Sequence, residues 1–464
     1  MINKKIMGLA AVAIAALMLG NTATADQRYV INYKNKMSFK KVEATVEAAG
    51  GTIVRSLPQV NVAIAVGPDA GFADSLESVR GIDSVGTAVT QNLPAVQSTR
   101  RFNEADMPEN GGPTGDDWAF NAGLTWGIDR VHAPQAWDAG NTGSHDTLVA
   151  VIDTGVAWNH PDLTPNVVQA YCAASGPCSP YPRYSMHGTH VAGTIAAAFG
   201  GGGVVGVGPD LGIIGYNVFE PIEGCGVCAY SDTRWFAMLH AADSGVDVIN
   251  MSLGGYGEFG GPGSNGLAAY LQAEKKVANY VRKAGTTIIA SSGNGGLWLN
   301  GRIVHTPSDI PSIVGVAATG IQPDPYYPQE GSFDIRAFYS NYGAASTVSA
   351  PGGDCGEIGD CTGTKPLYWY HFILSSGVDL YNDPALELPY PACADTYDCP
   401  TGYWWMAGTS MASPHVAGVA GLIADKHPGM SPQEITEILK ETADKVGNRQ
   451  EFGHGIVNAD AATQ

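Results

Sequence analysis

The apolar positions of this chain change their spacing several times, and each change marks a segment. Residues 6–19 form an uncharged apolar run of 14 positions. It follows Lys4 and Lys5 and precedes Ala23-Thr24-Ala25, the arrangement of an export signal cut after Ala25. A membrane-crossing helix needs about 20 apolar residues, so the run is short for an anchor. Residues 28–92 then alternate brief strand and helix patterns. Strands are expected at 28–33, 60–66 and 82–89, and helices at 40–49 and 72–79. Residues 93–118 lose periodicity and gather Pro, Asn, Gly and Asp, as linkers do. The pair Arg100-Arg101 lies in this stretch and reads as solvated rather than as a processing signal.

From about residue 125 the pattern lengthens. Residues 148–152 are a continuous apolar strand ending at Asp153. Helices are expected at 190–199, 233–244, 267–284, 413–426 and 432–444, with strands at 213–219, 247–251 and 286–290. Continuous apolar strands separated by helices predict an α/β fold, a parallel sheet covered on both faces. Ligands in such folds sit at the carboxyl ends of the strands.

Charge sharpens this division. Residues 1–110 carry 11 Lys/Arg and 10 Asp/Glu, a net of +1. Residues 111–464 carry 14 and 34, a net of −20. That balance argues against nucleic acid as a partner, since its backbone needs a basic footprint. No stretch beyond the first 25 residues is long and apolar enough to predict a membrane span in the mature chain. The eight cysteines all lie beyond residue 170, at 172, 178, 225, 228, 355, 361, 393 and 399. Eight allow 105 connectivities. Their four close pairs suit four local disulfides in an exported protein. Cys225 and Cys228 could instead serve zinc, although no second ligand pair stands nearby at standard spacing.

Three short motifs fall beside the expected strand ends. Val151-Ile152-Asp153-Thr154-Gly155 delivers a carboxylate to the end of a buried strand; alone, it would be an ordinary turn or cap. His187-Gly188-Thr189-His190 opens a helix of small residues, which suits a base on rigid backbone or, less specifically, a structural histidine or a His-x-x-His metal pair. Gly408-Thr409-Ser410-Met411-Ala412 places a serine at a helix entry, where backbone N–H groups lack partners and can face a developing negative charge. Serine there is also a routine cap.

Taken together, in the order Asp, His, Ser, the motifs resemble the subtilisin-like serine peptidases over residues 120–464. The resemblance implies a subtilisin-like three-layer fold with a central parallel sheet. It also implies that Ser410 is the nucleophile, His187 the general base and Asp153 the residue that orients the imidazole. Asn294, in Ser291-Ser292-Gly293-Asn294-Gly295, matches the side chain that receives the oxyanion. Ser252, Leu253 and Gly254 match the segment that pairs with an extended substrate. Ser291, Ser292 and Gly293 match a wall of the primary specificity pocket, where small residues leave room for a large side chain. The loop at 220–230 is expected to flank the cleft, stiffened by a disulfide.

The resemblance extends less specifically to residues 26–93, which match the family's inhibitory propeptide, a small α+β ferredoxin-like prodomain. The implied organisation is a signal at 1–25, the propeptide at 26–93, a processing linker at 94–118 and the peptidase domain at 119–464. Self-cleavage is expected within 93–118. No cofactor is implied for the chemistry, but family members often hold a structural calcium. Asp162 matches one ligand, although the matching loop at 199–204 lacks the side-chain amide usual there. Residues 353–404 exceed the family's short connection. This inserted loop carries four cysteines, and residues 354–398 hold eight acids and one lysine. Its aromatics are read as a small satellite core, with a cleft-rimming role as the alternative. The expected molecule is a secreted monomeric endopeptidase, made as a zymogen, whose partners are polypeptide substrates and its own propeptide. An α/β-hydrolase esterase would order its triad Ser, Asp, His and need a second glycine after the nucleophile. A catalytically silent binding protein would not need the four matched residues.

Overall fold

The computed structural model describes residues 27–68, 71–93, 96–103, 107, 115–174, 178–259, 264–323, 331–354, 368–380 and 393–464. The expected export signal and much of the insertion therefore lie outside the described residues.

The N-terminal unit is a four-stranded antiparallel sheet. Its elements are β1 (Gln27–Tyr33), α1 (Phe39–Ala48), β2 (Thr52–Leu57), β3 (Val62–Gly67), α2 (Gly71–Glu77) and β4 (Ile82–Thr87), in strand order β2-β3-β1-β4. Strand β1 is buried on both faces because it has two things to cover. Tyr29, Ile31 and Tyr33 join the unit's own core with Val42, Val46 and Phe72. Val30 on the opposite face, with Val62 and Ile64 of β3, joins a core belonging to the larger body.

Two further strands follow: β5 (Thr90–Asn92), just before the stretch expected to be irregular, and β6 (Ser98–Arg101), within it. They form because each adds to an edge supplied by residues far away in sequence, which local composition does not record.

The larger body is built on an eight-stranded sheet. Its elements are β7 (Leu148–Asp153), β8 (Val167–Cys172), α3 (His187–Ala196), β9 (Gly212–Asn217), a hairpin of β10 (Glu220–Ile222) and β11 (Gly226–Tyr230), α4 (Ser231–Asp243), β12 (Val248–Met251), α5 (Ser264–Ala284), β13 (Thr287–Ser291), β14 (Val314–Pro323), β15 (Gly331–Arg336), β16 (Val348–Pro351), β17 (Ile373–Val378), β18 (Thr401–Ala407), α6 (Thr409–Lys426) and α7 (Pro432–Glu441). The order β15-β14-β13-β12-β7-β9-β8 is parallel except for the antiparallel edge strand β15, and β16 pairs with β14. Helices α3 and α6 share the core on one face, and α4 and α5 share the core on the other. This is the expected three-layer arrangement.

Two helices begin earlier than their apolar pattern suggests. Helix α3 starts at His187 rather than 190, and α6 at Thr409 rather than 413. Both first turns are buried, so packing supplies what the small and polar residues lack in helix propensity. The loop expected at 220–230 is a β-hairpin. Three of the four cysteine pairs form disulfides, Cys172–Cys178, Cys225–Cys228 and Cys393–Cys399. Cys355 and Cys361 lie outside the described residues. The described part of the insertion is not a separate satellite: Phe372, Leu374 and Trp404 belong to the main core.

Candidate active site

Asp153 is the last residue of β7, His187 the first of α3 and Ser410 the second of α6. All three are buried. Glycine at two places lets neighbouring chain pass close to the end of β7. Gly155 turns the chain with φ +95°, and a Cβ there would lie 2.6 Å from the Pro180 carbonyl oxygen. A Cβ on Gly188 would come within 3.1 Å of the Asp153 Cβ.

The Asp153 carboxylate accepts from His187 Nδ1, 2.8 Å from Oδ1 and 3.0 Å from Oδ2. Since a carboxylate only accepts, the proton stands on Nδ1 and Nε2 offers a lone pair. Thr154 N–H also donates to Asp153 Oδ1 at 2.8 Å, which fixes the carboxylate. His187 Nε2 is buried and has no hydrogen-bond partner. The Ser410 hydroxyl donates instead to the Ser252 carbonyl at 3.1 Å, while Ser252 Oγ donates to the Ser410 carbonyl at 2.8 Å. Ser410 is thus not the cap of its helix; Gly408 occupies that position.

Asn294 follows β13. Its Oδ1 accepts from Thr409 N at 2.9 Å and Thr409 Oγ1 at 2.7 Å, which sets the amide's orientation. Its Nδ2 then faces the space over Gly408. A Cβ built on Gly408 would lie 3.3 Å from Asn294 Nδ2 and 3.7 Å from Ser410 N. Two N–H donors therefore converge on a volume that only glycine at 408 leaves open, the arrangement needed for a carbonyl oxygen that becomes negative.

The expected pocket wall, Ser291-Ser292-Gly293, and the expected substrate-pairing segment, Ser252-Leu253-Gly254, lie on either side of one side chain that partly fills the room between them. His305 lies against the side-chain faces of both Gly254 and Gly293; a Cβ on Gly293 would stand 2.7 Å from its Nε2. Its Nδ1 bonds Ser308 Oγ at 3.0 Å, and burial pushes its pKa down to about 3, so the ring is neutral. Nothing in the local sequence around His305 pointed to this place. It arrives through the strand Ile303–Thr306, which pairs with Gly255–Glu258.

The chain's own linker lies along the same site. Strand β5 pairs antiparallel with β11, Asn92 opposite Cys228 and Thr90 opposite Tyr230. On its other side is the segment after Gly254, where a Cβ on Gly255 would be 3.8 Å from Gln91 Cγ. The buried Gln91 accepts from Arg234 Nε at 3.1 Å. Residue 97 then reaches β18, donating its N–H to the Ala407 carbonyl at 2.7 Å, three residues before Ser410. Strand β6 continues antiparallel to β18, Ser98 opposite Ala407 and Arg101 opposite Trp404. Arg101, expected to be solvated, pairs with Asp379 at 2.9 Å.

Two other expectations separate in space. His190 Nε2 approaches the carbonyls of Trp404 and Ile373 at 3.0 and 3.2 Å, while His187 turns to Asp153, so the two imidazoles do not make a metal pair. Asp162 is buried among donors. Its oxygens accept from Gly203 N at 3.2 Å, Val204 N at 3.2 Å and Tyr403 OH at 3.3 Å, and burial raises its pKa to about 7. Donors on both oxygens suit a loop anchor and do not fit a calcium ligand, which would face other oxygens. Among the described residues no group of three or more His, Cys, Asp or Glu could hold a metal.

Comparison with known proteins places the chain in a family. Residues 144–455 match the family described as the subtilase family. The chain is 28% identical over 456 residues to subtilisin amylosacchariticus of Bacillus subtilis subsp. amylosacchariticus, spanning 97% of this chain and 94% of that one. Against the subtilisin of Bacillus pumilus the identity is 32% over 343 residues, 74% of this chain and 99% of the other. Among solved structures, fervidolysin from Fervidobacterium pennivorans, a keratinolytic enzyme related to subtilisin, matches with a TM-score of 0.68 at 25% identity over 96% of this chain and 62% of that one. The epidermin leader peptide processing serine protease of Staphylococcus aureus shares the fold, with a TM-score of 0.70 at 21% identity over 95% and 98% of the two chains.

Proposed function

The chain belongs to the subtilase family of serine endopeptidases, and from that premise we propose that it is a secreted enzyme made as a zymogen, with Ser410 as nucleophile. The reading rests above all on the buried Asp153–His187 hydrogen bond, which leaves an unpaired imidazole nitrogen on the helix packed against that of Ser410.

Serine is a weak nucleophile until a base takes its proton. His187 Nε2 is the lone pair available for this, and Asp153 stabilises the imidazolium that results. The hydroxyl rests on the Ser252 carbonyl and leaves it when a substrate arrives; catalytic contacts of this kind commonly tighten only in the substrate complex. Attack on the scissile carbonyl sends its oxygen toward Asn294 Nδ2 and Ser410 N. His187 then gives the proton to the leaving amine, and an acyl-enzyme on Ser410 is released by water through the same base. Polypeptides are held by the edges that now hold the linker, Ser252-Leu253-Gly254 and β11 on one side and β18 on the other. The wall at Ser291-Ser292-Gly293, with His305 below it, receives the side chain before the scissile bond. No cofactor takes part in these steps.

The N-terminal unit is the inhibitor in this reading. It is fastened to α4 by one buried carboxylate: Asp232 accepts from Arg28 Nε at 3.0 Å and Nη2 at 2.6 Å and from Arg55 Nε at 2.9 Å. Strand β5 then blocks the cleft. Self-cleavage falls after Asn92 and before Gln97, which narrows the expected interval of 93–118. Export follows from residues 1–25, and no helix among the described residues is long and apolar enough to cross a membrane. The mature protein acts as a monomer.

Expression of the full chain beside a Ser410→Ala version tests the proposal. The parent sheds its N-terminal unit and digests casein; the variant keeps the unit and loses activity by about 10⁴-fold or more. Equal maturation of both chains would show that another protease does the processing, and equal casein digestion would refute the assignment of Ser410.

A further inference from the structure

We propose that the described part of the insertion, together with β18, forms a binding site for the leaving-group side of a peptide, and that Asp379 and Trp404 select a cationic side chain there. The proposal rests on the peptidase reading above. Its ligand is already visible in outline, because β6 occupies the site.

Strand β18 has two edges. One is filled by β17, from Ile373↔Met406 to Val378↔Thr401. Among the described residues the other is filled by β6, which self-cleavage leaves at the new N-terminus of the peptidase, untied from the N-terminal unit and able to yield the edge to a substrate. A peptide crossing Ser410 in the direction of residues 92 to 97 continues along this edge, as β6 does. Backbone pairing supplies the hold and side chains supply the choice.

The choice is made at the position of Arg101. Its Nη1 lies 2.9 Å from Asp379 Oδ2, and its guanidinium carbon stands 5.5 Å from the centre of the Trp404 ring. The site is fixed before the ligand arrives. Asp379 directly follows β17, and its N–H donates to the Pro400 carbonyl at 2.8 Å. Its side chain is 10% exposed, against 48% for that of Arg101. Trp404 is held in the core of the body. A largely buried carboxylate with an aromatic face beside it rewards a cation and repels an acidic residue. The acidic insertion therefore acts in recognition rather than only in solubility.

The test uses the matured enzyme from the full chain and internally quenched peptides spanning residues 88–103 of this sequence. One peptide keeps Arg101, one carries Arg101→Ala and one Arg101→Glu. The expected kcat/KM falls about tenfold for the alanine peptide and further for the glutamate peptide, the scale of one charge-assisted contact. In Asp379→Asn enzyme these ratios collapse to within about twofold. A ratio taken within one preparation does not depend on how much of the variant folds. Should Asp379→Asn fail to accumulate, the wild-type ratio is measured at low and high salt, and screening must reduce it. Equal cleavage of the three peptides by wild-type enzyme would overturn the proposal, as would a ratio that survives Asp379→Asn or ignores salt. Failure to cut any peptide or casein would instead overturn the peptidase reading itself.

Discussion

The two flanks of Ser410 hold the same stretch of chain by different physics. On the side of β11, the contact that matters is buried: Gln91 meets Arg234, a guanidinium that is itself fully enclosed and paired with Glu274 at 2.5 Å. The rim there carries the Cys225–Cys228 bridge, whose second cysteine lies opposite Asn92. On the side of β18 the deciding contact, Arg101 with Asp379, is half exposed at its guanidinium. A buried hydrogen bond to a charged group is insensitive to salt and costly to leave unmade. A half-exposed ion pair is weaker and tunable by solvent. One flank is thus suited to hold a fixed segment in a set register, the other to discriminate among incoming ones.

Three measurements would break or sharpen this contrast. The largest effect belongs to neither flank. Asn294→Ala is expected to lower kcat by about 10²–10³ with little change in KM, since it removes a donor that acts only on the developing oxyanion. A change confined to KM would move Asn294 out of the reacting centre and into substrate binding.

Acid comes next and separates the flanks. Strand β18 hangs on two buried neutral imidazoles: His160 Nε2 reaches the Gly402 carbonyl at 3.0 Å and His190 Nε2 the Trp404 carbonyl at 3.0 Å. Burial lowers their pKa values to about 4 and about 3. The unfolded chain binds these protons at about pH 6.5 and the folded chain does not, so stability falls as pH drops below 6.5. Asp162, raised to about 7 by burial, works in the opposite sense over much the same window. Two imidazoles against one carboxyl leave a net loss on the order of 2 kcal/mol between pH 7 and 4.5. Hydrogen-exchange protection in the Ser410→Ala chain, taken relative to the intrinsic exchange rate at each pH, should therefore fall in β17 and β18 on acidification before it does in β11. A uniform loss of protection, or none, would remove the difference between the flanks.

The smallest effect tests the β11 side alone. Gln91→Ala in the Ser410→Ala chain should speed exchange of the 90–92 amides about tenfold, the scale of one hydrogen bond to a charged group, while 98–101 stay unchanged. Parallel changes in both strands would show that the linker is held as one unit.

The candidate site was the most legible part of the sequence because each piece is local. A strand ending in Asp153, a helix opening at His187 and a glycine before Thr409-Ser410 are each contained in a few contiguous residues. The cysteine pairs were legible for the same reason, their partners being three or six residues apart. The path of residues 89–103 was not. Short polar strands such as Thr90–Asn92 have no apolar alternation of their own; they exist because β11 and β18 offer unpaired edges. His305 was hidden likewise, since only the pairing of Ile303–Thr306 with Gly255–Glu258 carries it beneath Gly254. The apolar pattern alone starts those two helices at 190 and 413; burial, rather than propensity, carries them back to 187 and 409, where the motifs had placed a helix opening.

The Asp232 clamp gives maturation a second clock. Cutting the linker changes one covalent bond and leaves the clamp untouched, with one enclosed carboxylate still shared by two arginines whose side chains are only 16% and 13% exposed. For the fragment to depart, water must reach all three charged groups at nearly the same moment, which is slow even when departure is downhill. Activity should therefore lag behind cleavage, and the length of the lag is set at the far end of the fragment from the bond that was broken.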